Sequence, residues 1–529
     1  MSNSASQLYH EFTKYSPEGL ARHSRPLDWS TQPLPFKEYP SGLGTVFPLK
    51  MYLSQKLSSN SPLEGVSGSL PTDLSELGHW QRQRLSQLLY FTYGVTLIVP
   101  YPTQPLYMRS APSAGGLYPV ELYLLSRGTE GFPPGLYNYQ ARSHSLLQFW
   151  DESRFDLLEK ACFGVPALSQ TKLVLLATVV FFRSAWRYQD RAYRRVCLDT
   201  GHLLGNLALA SNLTGFRAYL MGGFVDALVE ELLFLEQGVE APIAVLPLVD
   251  LWQSPEHPLG AYQEPFERLS LPRALSSQRV TSVPKLEAGG WLAYMDQVSR
   301  LSGDPGSIPT QQGSPDKYNF PFCLKVSTQT DPIYWGIHLQ DLVRSILKRR
   351  STREFSGDSL EVQDLLAILD FTHHPEHYSD QGLDPKPDYF DLSLIQTFVV
   401  ANGVNGLDPG CYYYAPDAAE LRQIRFKNFR QEVYYLCLGQ ELGRDAGAVI
   451  FQTADLEQAV IRYGERCYRY LHMDAGQLGQ RINLAAIRLG LGVSGIAGFF
   501  DDQVNEVLGI PASEAVLYIT TLGCQIRNP

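Results

Sequence analysis

The hydrophobic positions fall into the same succession of elements twice. In RLSQLLYFTYG (84–94) and VQDLLAILDF (362–371), apolar residues recur at three- and four-residue spacing, which predicts an amphipathic helix. Each is followed by a short apolar run that predicts a strand, ELYLLS (121–126) and TFVVAN (397–402). A hairpin segment rich in Tyr comes next, then a buried strand, KLVLLATV (172–179) or AVIFQT (448–453). Each succession closes on a long helix of small and apolar residues, CLDTGHLLGNLALASNLTG or HMDAGQLGQRINLAAIRLG, ending at Gly215 or Gly490 as a helix C-cap should. The longest apolar run, LVLLATVVFF (173–182), is too short to span a bilayer, so no membrane association is expected.

The two successions align without a gap at an offset of 275 residues. Between 187–226 and 462–501, 14 of 40 positions are identical, among them Arg187/Arg462, Tyr188/Tyr463, Arg191/Arg466, Asp199/Asp474, Gly201/Gly476 and Asp226/Asp501. A repeat of this size is a duplicated domain rather than a solenoid unit. The expected organisation is α+β, with an arm (1–60), a first domain (61–250), a connector (251–335) and a second domain (336–529). The arm carries Pro and aromatic residues without period and is expected to lie extended on the body. The connector is rich in Pro, Ser, Gly and Gln, with local structure at WLAYMDQVSRL.

Composition narrows the function classes. Lys and Arg number 44 against 54 Asp and Glu, a formal charge of −10 that argues against nucleic acid as the main partner. Seven Cys without a CxxC spacing predict reduced thiols and no structural zinc. The start, MSNSASQLYHEF, lacks a basic segment followed by an apolar one, so a cytoplasmic protein is expected.

Two short stretches carry candidate chemistry. In RSAPSAGGLYP (109–119), Pro112, Ser113, Ala114, Gly115 and Gly116 make a loop of small residues before a strand. Such a loop lets backbone approach a flat ligand; a plain strand-entry turn is the alternative. In ILKRRSTREFSG (346–357), Arg349, Arg350, Ser351 and Arg353 gather three guanidinium groups and a hydroxyl ahead of the helix at 362. Arg forks suit phosphate, and a helix N-terminus adds partial positive charge; a solvated basic turn is the alternative. His373, His374 and His377 cluster near Pro375 without a matching carboxylate or Cys frame, so no metal site is expected.

Together these residues resemble the flavin-dependent nitroreductase family, and more closely its azoline-oxidising, SagB-type branch. RRSTREF is similar to the family's phosphate motif and RSAPSAGGLYP to its flavin-facing loop. RYxxRxYR with the following DxGH or DxGQ helix and GGF or AGF turn resembles its third block, in both halves. The resemblance implies an α+β fold with a central antiparallel or mixed sheet, dimerising around FMN held between two units.

The repeats differ where that resemblance matters. PSAGG falls opposite Pro387, Asp388, Tyr389, Phe390 and Asp391, and RRSTR falls opposite Ser69–Asp73. One half lacks the phosphate clamp and the other lacks the ring loop. An intramolecular pseudo-dimer with one composite FMN site is therefore expected. Arg349, Arg350, Ser351 and Arg353 would serve the phosphate and Pro112–Gly116 the ring. Gly495, Ile496, Ala497 and Gly498 would lie near the ring edge, with His202 within reach and Arg527 closing on the phosphate. The branch's Lys-Tyr pair is replaced by Arg187–Tyr188 and Arg462–Tyr463, so Arg187, Tyr188 and Tyr463 are the candidate catalytic residues. Arg cannot act as a base at neutral pH.

The implied activity is dehydrogenation of an azoline or similar ring in a peptide or natural product. NAD(P)H-dependent reduction of quinones or nitro compounds, and a catalytically inactive partner subunit, are the alternatives. The implied partner is a small-molecule or peptide-derived substrate, with further pairing of the pseudo-dimer left open.

Overall fold

Two long helices touch through glycine at the centre of the molecule. They span Ala192–Thr214 and Cys467–Arg488. A Cβ on Gly201 would overlap the Met473 carbonyl, and one on Gly476 would overlap the Leu198 carbonyl. Glycine alone permits that approach, and it does so at positions related by the 275-residue offset. The structure is a computed structural model that describes residues 3–22, 26–53, 73–101, 105–169, 171–251, 273–303 and 316–526.

Each long helix serves a seven-stranded sheet, and the two sheets have the same order. The first runs Thr45–Pro48, Ser145–Trp150, Gly135–Gln140, Val120–Ser126, Leu173–Val180, Glu240–Asp250 and Phe216–Ala218. The second runs Lys325–Ser327, Glu420–Arg425, Gly410–Ala415, Gln396–Ala401, Ala448–Asp455, Glu514–Gly523 and Gly492–Ile496. Every pairing in both is antiparallel. Strands Val120–Ser126 and Leu173–Val180 are buried almost throughout, which explains why they read as continuous apolar runs rather than alternating ones. One hydrophobic cluster passes from Leu122 through Leu203 and Leu478 to Val399, so the halves share a core.

The seam carries reciprocal buried ion pairs. Asp501 of the second half binds Arg191 at 2.9 Å and Arg194 at 2.7 Å of the first. Asp226 of the first binds Arg466 at 2.7 Å and Arg469 at 3.0 Å of the second. Each of these side chains is at most 2% exposed. The partners are related by the same offset, so much of the repeated RYxxRxYR block holds the two halves together.

The arm and the basic turn differ from expectation. The arm is not simply extended. Ser4 caps a helix over Ala5–Phe12 with a reciprocal Gln7 contact, and Thr45–Pro48 is an edge strand of the first sheet. The helix lies in the seam. Its Ser6 hydroxyl donates to Glu465 at 2.6 Å, and its Tyr9 hydroxyl donates to the Asp190 carbonyl at 2.5 Å. The basic cluster does not open a helix. Arg349 follows the C-terminus of helix Gln340–Lys348, and residues 350–361 separate it from helix Val362–His373. In the connector, a helix covers Trp291–Val298.

Candidate functional site

A cleft of about 430 Å³ opens on the seam and draws on both halves and the arm. From the first half come Pro112, Ser113, Ala114 and Gly115, the pair Arg187–Tyr188, and one face of the central helix. That face presents Arg195, Leu198, Asp199 and His202, spaced as neighbours on a helix surface. From the second half come Ser351, Arg353, the run Gly495–Gly498 and Tyr518. Tyr15 of the arm completes it.

The loop is held by its own helix. The Ser113 hydroxyl donates to Asp199 at 2.5 Å and the Ala114 amide donates to the same carboxylate at 3.1 Å. Asp474 does the same in the other half, accepting from the amides of Phe390 and Asp391 at 2.9 and 2.8 Å. Burial pushes both carboxyls up to about 7. Gly115 and Gly116 take φ near +66° and +67°, a conformation that side chains resist, and so turn the backbone into the cleft. On the facing strand a Cβ at Gly495 would overlap the Tyr518 hydroxyl.

The cleft is cationic within an acidic chain. Arg187, Arg195 and Arg353 reach it, against one carboxylate, Asp199. Arg349 is buried behind, donating to the carbonyls of Ser110 and Arg109 at 2.5 and 3.1 Å, and burial lowers its pKa to about 10. It thereby ties the second half to the strand that leads into the loop. Nη1 of Arg349 and Nε of Arg195 are buried without a hydrogen-bond partner among the described residues. Buried donors left open in this way fit an anionic ligand with several acceptor oxygens.

The remaining expected residues divide clearly. His202 lines the cleft, yet both ring nitrogens are engaged by the second half, Nδ1 with Gln480 at 3.0 Å and Nε2 with Tyr518 at 2.9 Å. Burial lowers its pKa to about 3, so it is neutral. Arg350 lies outside the lining and donates to Thr96 at 3.1 Å. Gly116 adjoins the lining loop. Tyr463 is not in this cleft: its hydroxyl donates to Asp391 at 2.9 Å, and Arg462 pairs with the same carboxylate at 2.5 Å. Of the two Arg-Tyr pairs, only the first faces the cleft. Arg527 lies outside the described residues, as do Ser69–Thr72; Asp73 caps helix Leu74–Tyr93.

At the positions related by the offset, the second seam is filled. The Phe390 ring stacks on Tyr470 at 4.6 Å. A Cβ on Gly222 would overlap Phe390, and its amide donates to the Arg273 carbonyl of the connector at 2.8 Å. Asp388 pairs with Arg217 at 3.1 Å and accepts the Leu220 amide at 3.1 Å. The bulky residues opposite PSAGG thus serve as packing.

Tyr15, Arg195 and Tyr518 escaped the sequence reading. Arg195 had a usable signal: its counterpart is Tyr470, the same asymmetry that marks PSAGG. Tyr15 had none, since the arm carries no period.

The sequence pattern of the Nitroreductase family matches residues 81–248 and 346–524, one match per half. The chain belongs to the nitroreductase family. A crystal structure of a provisionally named nitroreductase from Anabaena variabilis is similar to this nitroreductase-family chain throughout, at 52% identity and TM-score 0.88, covering 99% of this chain and all of that one. The tandem arrangement therefore has a solved counterpart. The provisionally named nitroreductase MJ1384 of Methanocaldococcus jannaschii is 29% identical over 191 residues, 36% of this chain and 93% of that protein. The microcin B17-processing protein McbC of Escherichia coli is 28% identical over 142 residues, 26% of this chain and 52% of McbC. The trifolitoxin-processing protein TfxB of Rhizobium leguminosarum is 28% identical over 159 residues, 27% of this chain and 40% of TfxB. The match thus spans about half of McbC and two-fifths of TfxB. Membership makes the chain an oxidoreductase of a generally flavin-dependent family. Among the described residues no helix is long and apolar enough to cross a membrane.

Proposed function

We propose that the chain is an FMN-dependent oxidoreductase with one composite site, dehydrogenating an azoline or a similar ring derived from a peptide. The observation that carries this is the cationic cleft, where the small-residue loop of one half meets the basic turn of the other. Ser351 and Arg353 would hold the phosphate. The backbone at Pro112–Gly115 and Gly495–Gly498 would hold the two sides of the ring. Bound FMN would supply a two-electron acceptor; the protein supplies position and charge.

The chain's own groups have definable tasks. The Tyr188 phenol is raised above its ordinary value by burial, so it keeps its proton at neutral pH and can donate a hydrogen bond or a proton. Arg187, as a guanidinium on the cleft wall, can bind or polarise an anionic or carbonyl-bearing substrate. Arg195, buried beside Asp199 and stacked 5.1 Å from the Tyr188 ring, would stabilise negative charge developing in the cleft. Asp199 fixes the loop through Ser113 and the Ala114 amide.

The similarity to McbC and TfxB supports a peptide-derived substrate over a quinone or nitro compound. The deciding experiment offers the flavin-loaded chain a thiazoline-containing peptide under air and follows oxygen uptake and azole absorbance. Azole formation without NAD(P)H supports the proposal. Turnover only with NAD(P)H and a quinone assigns the chain to the reductases instead.

A further inference from the structure

A second cavity lies apart from the cleft, in the second half. It measures about 660 Å³ and is bounded by the end of helix Val362–His373, strand Gly410–Ala415 and residues 328–330. Its lining includes Asp370, His373, His374, Glu376 and His377. Two carboxylates therefore stand with the histidines, Asp370 one helical turn before them and Glu376 between His374 and His377.

Pro375 makes the arrangement. It ends the helix and starts a 3-10 turn, Pro375–Gln381, that folds His377 back over His374, with rings stacked 5.1 Å apart. Candidate ligand atoms of His374, Glu376 and His377 all lie within 4.8 Å of one another. Nδ1 of His377 sits 2.7 Å from the Asp370 carboxylate, which is 5% exposed and also accepts the Tyr378 hydroxyl at 2.8 Å. A neutral His377 donates Nδ1–H to that carboxylate, which leaves the Nε2 lone pair outward. A carboxylate fixing the far nitrogen in this way is how proteins orient a metal-ligating histidine.

His374 is poised similarly. Nδ1 lies 3.1 Å from Glu376 and Nε2 lies 3.3 Å from the Tyr414 hydroxyl. Moving its proton to Nε2, where Tyr414 accepts it, exposes Nδ1 beside the Glu376 oxygen. That spacing is close to the edge of about 3.3 Å in a tetrahedron with ligand bonds of about 2.0 Å. Nε2 of His373, on the same cavity, is buried without a hydrogen-bond partner among the described residues. Two imidazoles and one carboxylate suit a borderline transition ion rather than Mg²⁺ or Ca²⁺, which prefer all-oxygen sets.

We propose that His374, Glu376 and His377 form a site for a divalent transition metal ion of the zinc class, with Asp370 positioning His377 and the remaining coordination place open to the cavity. The site is independent of the flavin cleft.

The test titrates the chelator-treated full-length chain with Co²⁺ and then Zn²⁺, reading visible ligand-field absorption and heat. The expected result is one equivalent of Co²⁺ with the bands of a low-coordinate site, displaced by Zn²⁺. His374→Ala and His377→Gln should each remove the bands. Asp370→Asn should keep the stoichiometry and weaken affinity about 10- to 100-fold, as loss of an orienting partner does. His338→Ala, at an exposed histidine elsewhere, should change nothing. His377 is 46% exposed, so its variant tests binding without disturbing the core. Absence of saturable binding, or binding that survives His374→Ala combined with His377→Gln, would overturn the proposal.

Discussion

Replacing Asp501 by Asn removes one charge from the seam and leaves two guanidinium groups behind. Arg191 and Arg194 are fully buried and lie 2.9 and 2.7 Å from that carboxylate. They keep the carbonyls of Thr13 and His10 as acceptors, at 2.5 and 2.7 Å, but no anion replaces Asp501. Breaking a buried pair by deleting one partner costs about 3–5 kcal/mol. Unfolding entropy near about 2.1 cal/mol/K per residue gives about 1.1 kcal/mol/K if all 529 residues unfold together. The midpoint should then fall by about 3–5 °C, and by about twice that if each half unfolds separately. Asp226→Asn should lower it less, because Arg469 keeps the Asp296 carboxylate at 3.0 Å while Arg466 loses its anion. Differential scanning calorimetry of the two single variants checks both numbers. The pH dependence follows from the same pairs. Nearby arginines hold Asp501 and Asp226 below the ordinary value of 3.8. Their contribution is therefore complete above about pH 4 and lost as pH falls further through the folded-state values. A midpoint within about 1 °C of the parent for both variants, with unchanged acid sensitivity, would refute the view that these pairs join the halves.

Other perturbations read the cleft. Asp199 and Asp474 are raised to about 7, so the folded chain holds more protons than the unfolded one between about pH 4 and 7. Stability should thus decline as pH rises through that window, and Asp199→Asn with Asp474→Asn should flatten the decline in equilibrium denaturation. Gly495→Ala drives a methyl into the Tyr518 hydroxyl and should lower flavin affinity at least about tenfold, measured by fluorescence quenching, because the strand must shift. Arg187→Ala should lower turnover, while Arg462→Ala, tied to Asp391 outside the cleft, should leave flavin content unchanged.

Much of this arrangement was legible in the chain. The doubled succession of apolar runs located the main strands within about two residues, because buried antiparallel strands leave little ambiguity of length. The ungapped offset foretold two like halves, and the mismatch of PSAGG with Pro387–Asp391 marked where the two halves differ in structure. Spacing could not separate clamp from chemistry in RYxxRxYR. Arg191 and Arg466 match because each crosses to the other half, whereas Arg187 and Arg462 match and yet face different surroundings. Arg349 has the composition of a phosphate ligand, but its position after a helix end turns Nε and Nη2 toward the Ser110 and Arg109 carbonyls. Tyr15 and the helix over Ala5–Phe12 were hidden because a short segment buried in a seam needs no regular period. Glu376 was missed as a partner for His374 because it stands inside the histidine cluster rather than at a familiar metal spacing.

The most direct test of the composite site is the flavin count of the purified chain. Flavin released by denaturation, after saturation with FMN and removal of excess, should equal one per polypeptide, and Arg353→Ala should lose it while remaining folded. Two flavins per chain would contradict the filled second seam, and none would contradict the assignment of the cleft to FMN.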